Sequence, residues 1–353
     1  MTKTKKKIII FVIAIILVII TLFALQRLFM PKYMSDIYEG AMVEEYYDDS
    51  SNHNVIFVGD CEIYENISPV TLWEKYGITS YMRGSAQQLI WQSYYLLEET
   101  LTYEKPDVVV FNVLSMKYGE PQNEAYNRMT LDGMKMSKSK INSINASMME
   151  DEDFLSYIFP ILRYHSRWSE LTKDDFKYYF EKDKVTHSGY LMRADIVPAT
   201  TLPTPPVLSD YEFSDNSYKY LDKIVDICKE NDIELILIKA PSLYPHWYEE
   251  WDVAMEEYAK EKGVAYYNFL DNVEEIGLDF NVDTYDSGLH LNVYGAEKLA
   301  DYFGKILVEN FEFTDYSNDD AVKEHWENIS KDYYAEKKKQ EELFEKYGYL
   351  KGY

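Results

Sequence analysis

Short apolar runs alternate with amphipathic ones along this chain, and the alternation predicts its elements. The run 55–58 (Val-Ile-Phe-Val) is rich in β-branched residues and is stopped by Gly59-Asp60, as a buried strand ends in a tight turn. Residues 69–76 predict a short helix and 77–81 a second brief strand. Small residues at 84–88 open a long amphipathic helix to about Glu104. Pro106-Asp107 then introduces 108–113, a continuous apolar run suited to a central parallel strand. The rhythm breaks between about 118 and 214. Helices are expected there near 130–146 and 153–161, followed by Arg163-Tyr164-His165-Ser166-Arg167-Trp168 and a proline-rich stretch at 198–206. With no convincing strand of its own, this region reads as an insertion rather than a second core. Alternation resumes with a helix ending at Glu230, a strand at 234–238, a helix around 251–262, a strand at 265–269 and a last helix at 293–309. The expected fold class is α/β, a three-layer sandwich with a parallel sheet between helices.

The two ends differ from this body. Residues 1–7 carry four lysines, and 8–25 are eighteen residues without a charge. At about 1.5 Å per residue, such a helix spans a hydrocarbon core of roughly 30 Å. No small-x-small cleavage site follows, because 25–30 is bulky, so an uncleaved anchor is preferred to a signal peptide. The lysines favour a cytoplasmic N-terminus, which puts the main domain outside the membrane. Residues 31–53, acidic and aromatic, predict a short helix and a polar connector, 54–313 the α/β domain, and 314–353 a charged helical tail. Aromatic residues from Phe344 to Tyr353 suit packing on the chain's own domain or docking on a membrane partner.

Charge narrows the partners. The net charge is −25, or −29 once the four N-terminal lysines are set aside. Such a surface repels nucleic acid and anionic lipid. Two cysteines, Cys61 and Cys228, make no disulfide framework. Cys228 falls on the apolar stripe of a helix at 220–228 and reads as core filler. No His/Cys/Asp/Glu set has metal spacing and no glycine run cradles a phosphate, so no cofactor, metal or nucleotide is expected. The 34 tyrosines suit a surface that stacks on sugars, although an AT-rich genome gives the same bias.

Cys61 sits at the carboxyl edge of the first strand, where open α/β sheets hold their reactive groups. A thiol is intrinsically nucleophilic, and His290, far downstream, is a base for it. Asp60 and Glu62 flank Cys61, and their charges oppose a reactive thiolate. Asn112, ending the third strand, suits an oxyanion donor or a loop's hydrogen bonds equally. Arg163, His165 and Arg167 form a basic patch suited to a substrate carboxylate or phosphate, or to internal salt bridges. Lys239 follows a core strand and falls near the same sheet edge, or in a solvent-exposed loop.

Gly59-Asp60-Cys61, Gly84, Asn112 and 286–292 (Asp-Ser-Gly-Leu-His-Leu-Asn) together resemble the SGNH, or GDSL, hydrolases over roughly 54–308. The resemblance is greater to a membrane-anchored branch that includes the D-alanyl transfer proteins of teichoic acid and the alginate O-acetylation proteins. It implies a nucleophile at position 61, His290 as base and Asp286 as its orienter, with Gly84 and Asn112 as oxyanion donors. Two departures stand out. Cys61 replaces the family serine, and four residues rather than three separate Asp286 from His290, with Asp283 in reserve. The implied function is an extracytoplasmic acyl transferase or esterase acting on a cell-envelope glycan or teichoic-type polymer, with a membrane-bound O-acyltransferase as partner. The alternative is a catalytically inactive scaffold that kept the fold and recruits such a polymer or acyltransferase.

Overall fold

Five strands, β1 (Val55–Gly59), β2 (Ser80–Gly84), β3 (Val108–Asn112), β4 (Glu234–Lys239) and β5 (Ala265–Asn268), pair in parallel in the order β2-β1-β3-β4-β5. The structure is a computed structural model that describes residues 3–30, 40–49, 51–182, 184–316 and 318–351. The first nine residues of the expected acidic connector (31–39), and the last two residues of the aromatic C-terminus, lie outside the described residues.

The helices before the third strand are α1 (Lys3–Phe29), α2 (Ala41–Glu45), α3 (Cys61–Asn66), α4 (Pro69–Tyr76) and α5 (Ile90–Thr100). The insertion carries α6 (Glu124–Leu131), α7 (Lys138–Ser147), α8 (Phe154–Ile158), α9 (Ile161–Tyr164) and α10 (Lys173–Glu181). Then follow α11 (Asp215–Glu230), α12 (Glu249–Lys262), α13 (Val273–Ile276), α14 (Val293–Asn310) and α15 (Asp320–Tyr347).

Strand residues alternate between two cores, as the period of two requires. Phe57, Val108, Val110 and Ile236 pack with α4, α14 and α15, while Val58, Val109, Phe111 and Leu237 pack with α5, α11 and α12. Both faces are covered, which is why these strands read as continuous apolar runs. The chain leaves β1 for β2 on one side and returns to β3 on the other. The carboxyl ends of β1 and β3 therefore flank the point where strand order reverses, the usual crevice for ligands in such sheets.

Several elements differ from the sequence expectation. The second strand begins at Ser80 rather than Gly77, because Gly77 caps α4 in the left-handed conformation (φ 68°). The helix expected at 130–146 is two helices, α6 and α7, broken at Gly133. A Cβ on Gly133 would lie 2.3 Å from the Gly40 carbonyl oxygen, so the chain bends where α2 and α6 meet. The helix expected at 153–161 is likewise split into α8 and α9, at Pro160. Helix α15 is part of the domain core. Trp326 is fully buried and stacks on Trp73 at 5.6 Å, Tyr333 bonds Ser68 and Glu297, and buried Gln340 holds the backbone of Met192 and Ala194.

Candidate active site

Cys61 is the first residue of α3 and is half-buried. The turn before it is tight. Gly59 has φ 158°, and a Cβ there would meet Ile63 at 2.7 Å and Asn112 at 3.1 Å, which no larger residue fits. Asp60 caps α3 by accepting the Glu62 amide at 3.2 Å.

His290 is brought to this edge by a loop that folds back before α14. Thr284 and Leu291 form a bridge, and the Thr284 hydroxyl donates to the His290 carbonyl (2.7 Å) while accepting the Gly288 amide (2.8 Å). Within the loop Ser287 and Gly288 both have positive φ, 67° and 99°. These two left-handed residues absorb the extra position between Asp286 and His290. Asp286 Oδ1 accepts the His290 amide at 2.8 Å, and Oδ2 lies 2.6 Å from Nδ1. Asp283 is occupied elsewhere, by Lys298 Nζ (2.6 Å) and the Asp279 amide (2.7 Å).

A second carboxylate, unforeseen from the sequence, reaches the same nitrogen. Glu65, one helical turn after Cys61 on α3, places Oε2 3.0 Å from His290 Nδ1. The Tyr285 hydroxyl donates to that oxygen, Tyr285 stacks on His290 at 6.0 Å, and Arg193 lies 4.6 Å over the Tyr285 ring. The spacing of four puts Cys61 and Glu65 on one face only once 61–66 is known to be helical.

These contacts set the protons. Burial disfavours a charged His290, but Glu65, Cys61 and Asp286 outweigh it and hold the imidazole well above its ordinary value. Burial pushes the Cys61 thiol up. The nearby His290 pulls it down, and Asp60 and Glu65 push it up again. Cys61 and His290 therefore titrate as a unit. The second ring nitrogen, Nε2, is buried and makes no well-formed hydrogen bond among the described residues, and Nδ1 is taken by the carboxylates. Nε2 is thus the nitrogen left for the thiol.

Beneath the thiol lies a buried polar network. Lys239 Nζ sits 2.9 Å from Glu62 Oε1 and 3.0 Å from Ser242 Oγ, and Ser242 also bonds Glu62. The Asn112 amide donates both hydrogens, to Asp60 Oδ1 (3.0 Å) and Glu62 Oε2 (2.9 Å), and its oxygen accepts the Ala240 amide. Burial, then the charge of Glu62, raises Asp60 to about 6. Lys117, half-buried just after β3, is lowered by burial against the attraction of Asp60 and Glu62.

Two sequence expectations are corrected here. Asn112 has no N–H left to give a reacting carbonyl. Lys239 is fully buried and spent on Glu62, neither a substrate contact nor an exposed loop lysine. Gly84 ends β2 in register with Gly59, and a Cβ on it would lie 3.0 Å from the Tyr64 ring and 3.2 Å from the Asp60 carbonyl. Its need for glycine is this close approach, since its φ is not positive. The expected basic patch does not join the site through any described contact. Arg163 pairs with Glu124, His165 with the Leu162 carbonyl, and Arg167 with Asp175 and the Phe29 carbonyl.

Glu65, Asp286 and His290 bring one donor atom each within 4.8 Å of one another, an arrangement that metals also use. Nitrogen–oxygen separations of 2.6 and 3.0 Å are charge-assisted hydrogen-bond lengths, which account for the cluster as it stands.

No family profile matches the sequence, and no curated protein matches it. Among solved structures, a protein from Desulfitobacterium hafniense DCB-2 assigned to the G-D-S-L lipolytic family aligns with 72% of this chain and 100% of its own, at 15% identity and a TM-score of 0.35.

Proposed function

We propose that the protein is an extracytoplasmic acyl transferase or esterase acting on a cell-envelope glycan or polymer, with Cys61 as nucleophile, His290 as base and Asp286 as orienter. One observation carries the reading: Asp286 grips His290 Nδ1 at 2.6 Å and leaves Nε2 for the half-buried Cys61, at the strand-order switch of a parallel sheet. In the first step, from the Cys61–His290 pair that has lost one proton, the Cys61 sulfur attacks the ester carbonyl and the proton that remains rests on His290. The carbon–oxygen bond breaks, and the leaving oxygen takes that proton, giving an acyl-thioester. In the second step His290 deprotonates water or a polymer hydroxyl, whose oxygen attacks the thioester and expels the sulfur, which is reprotonated. With the Asn112 side chain committed below, this reading gives the oxyanion to backbone N–H donors, Cys61 at the start of α3 and Gly84 as the family resemblance implies.

The scaffold reading draws on a different observation, a Cys61 thiol pushed up first by burial and then by Asp60 and Glu65. Turnover of a chromogenic acetyl ester separates the two. Loss of turnover in both Cys61→Ala and His290→Ala supports the enzyme. No turnover by the wild type, with Cys61→Ala as competent as the wild type in the cell, supports the scaffold.

A further inference from the structure

The insertion exposes large apolar side chains on and beside the elements that grip α1. Leu155, Phe159, Leu162, Trp168, Phe176 and Phe180 are all exposed, Trp168 at 69% and Phe180 at 80%. A soluble surface rarely gathers so many large apolar groups within about 25 residues unless something covers them. Phe176 and Phe180, four apart on α10, share one helix face.

The same elements meet α1 at one level. The Ile161 amide reaches Gln26 Oε1 at 3.5 Å, Arg167 Nη1 bonds the Phe29 carbonyl at 2.6 Å, and Arg27 lies 5.5 Å over the Tyr179 ring. Gln26 to Phe29 directly follow the uncharged run 8–25, so these contacts fall where a spanning helix leaves the hydrocarbon. α1 is long and apolar enough to cross a membrane, and its most apolar window is wholly unburied. Charge agrees. Residues 154–182 hold five Lys or Arg against four Asp or Glu, near neutrality in a chain of net charge −25. This face escapes the repulsion from anionic lipid that the rest of the surface feels.

We propose that residues 154–182 form a membrane-seating surface, resting in the outer headgroup layer beside α1 with the phospholipid bilayer as its partner. Trp168 and the two phenylalanines of α10 act as interfacial anchors, as aromatic residues do at membrane boundaries. The domain would then stand at a fixed tilt to the membrane rather than swing on a tether. The inference rests on the reading of α1 as an uncleaved anchor.

The test uses the full chain reconstituted in phosphatidylcholine–phosphatidylglycerol vesicles, with and without brominated acyl chains. Of the six tryptophans, Trp91, Trp247, Trp251 and Trp326 are buried and Trp73 packs against the core, so Trp168 reports on the surface. The expected result is bromine quenching in the wild type that is lost in Trp168→Phe and regained when Phe180→Trp is added to that variant. Absence of quenching in both the wild type and the double variant, in a chain that alkaline carbonate fails to extract, would overturn the proposal alone and would place this face against protein. A chain released by carbonate would remove the anchor reading and the seating surface with it.

Discussion

Glu65→Gln isolates the least expected part of the site. The substitution removes one of the two charges from His290 Nδ1 and keeps an oxygen that accepts from Tyr285. At 3.0 Å and an effective dielectric of about 20, a carboxylate–imidazolium pair is worth on the order of 5 kcal/mol. The Tyr285 hydroxyl and the competing Asp286 share that field, so only part of it is lost with the Glu65 charge. The sign is fixed, because the Glu65 charge raises the proton affinity of both His290 and Cys61. Removing it lets the pair lose its first proton at lower pH. The rate of iodoacetamide alkylation at Cys61, followed by mass spectrometry across the pH range, should show its rising limb move toward acid. Cys228 is an internal control, buried and pushed up to about 12. A Glu65→Gln profile that superimposes on the wild type would refute the reasoning. The same sign governs stability. His290 gains proton affinity on folding, so its contribution is whole below about pH 6.5 and fades as the pH rises through its folded value.

Other outcomes follow from the neighbouring contacts. Lys239→Met strands Glu62 in the core and should cost about 3–5 kcal/mol in urea unfolding of the detergent-solubilised chain, most of it restored by adding Glu62→Gln; a cost under about 1 kcal/mol would contradict the buried pair. Asp286→Asn should cut ester turnover by about 10²-fold or more, while Asp283→Asn, which loses only a half-exposed partner in Lys298, should leave turnover intact; the reverse ranking would make Asp283 the orienter. Gly133→Ala drives a Cβ into the Gly40 carbonyl and should destabilise by about 1–3 kcal/mol, read as a lower Tm, whereas an unchanged Tm would mean that α2 and α6 part freely.

The strands that face apolar layers on both sides were legible, because β1, β3 and β4 have no polar face to disguise them. The sequence puts β2 three residues early because Ser80-Tyr81-Met82-Arg83-Gly84 does not look buried. Arg83 is nonetheless 2% exposed, and it lies there by pairing with Glu99 and stacking 4.0 Å over Tyr46, partners distant in the sequence. Helix α3 has six residues, too few for a periodic signal, and with α3 unseen Glu65 had no reason to be placed under His290. The approach of Asp286 to His290 depends on two positive-φ residues, a backbone property that spacing alone does not reveal. Asn112 and Lys239 fall at the expected sheet edge, but spacing alone does not choose between their alternative roles. Their partners arrive from Glu62 and Ser242, and only the folded sheet brings those together. Arg163, His165 and Arg167 are adjacent in sequence, yet their position follows from how the insertion docks on α1, which local charge does not encode.

The central claim is that Cys61 takes up an acyl group with the help of His290. Intact-mass analysis after a brief exposure to an activated acyl ester, with peptide mapping, tests it directly. The expected result is one acyl group on Cys61, removable by neutral hydroxylamine, and absent from His290→Ala at the same pH. Equal acylation of wild type and His290→Ala, or none on Cys61 in either, would contradict it.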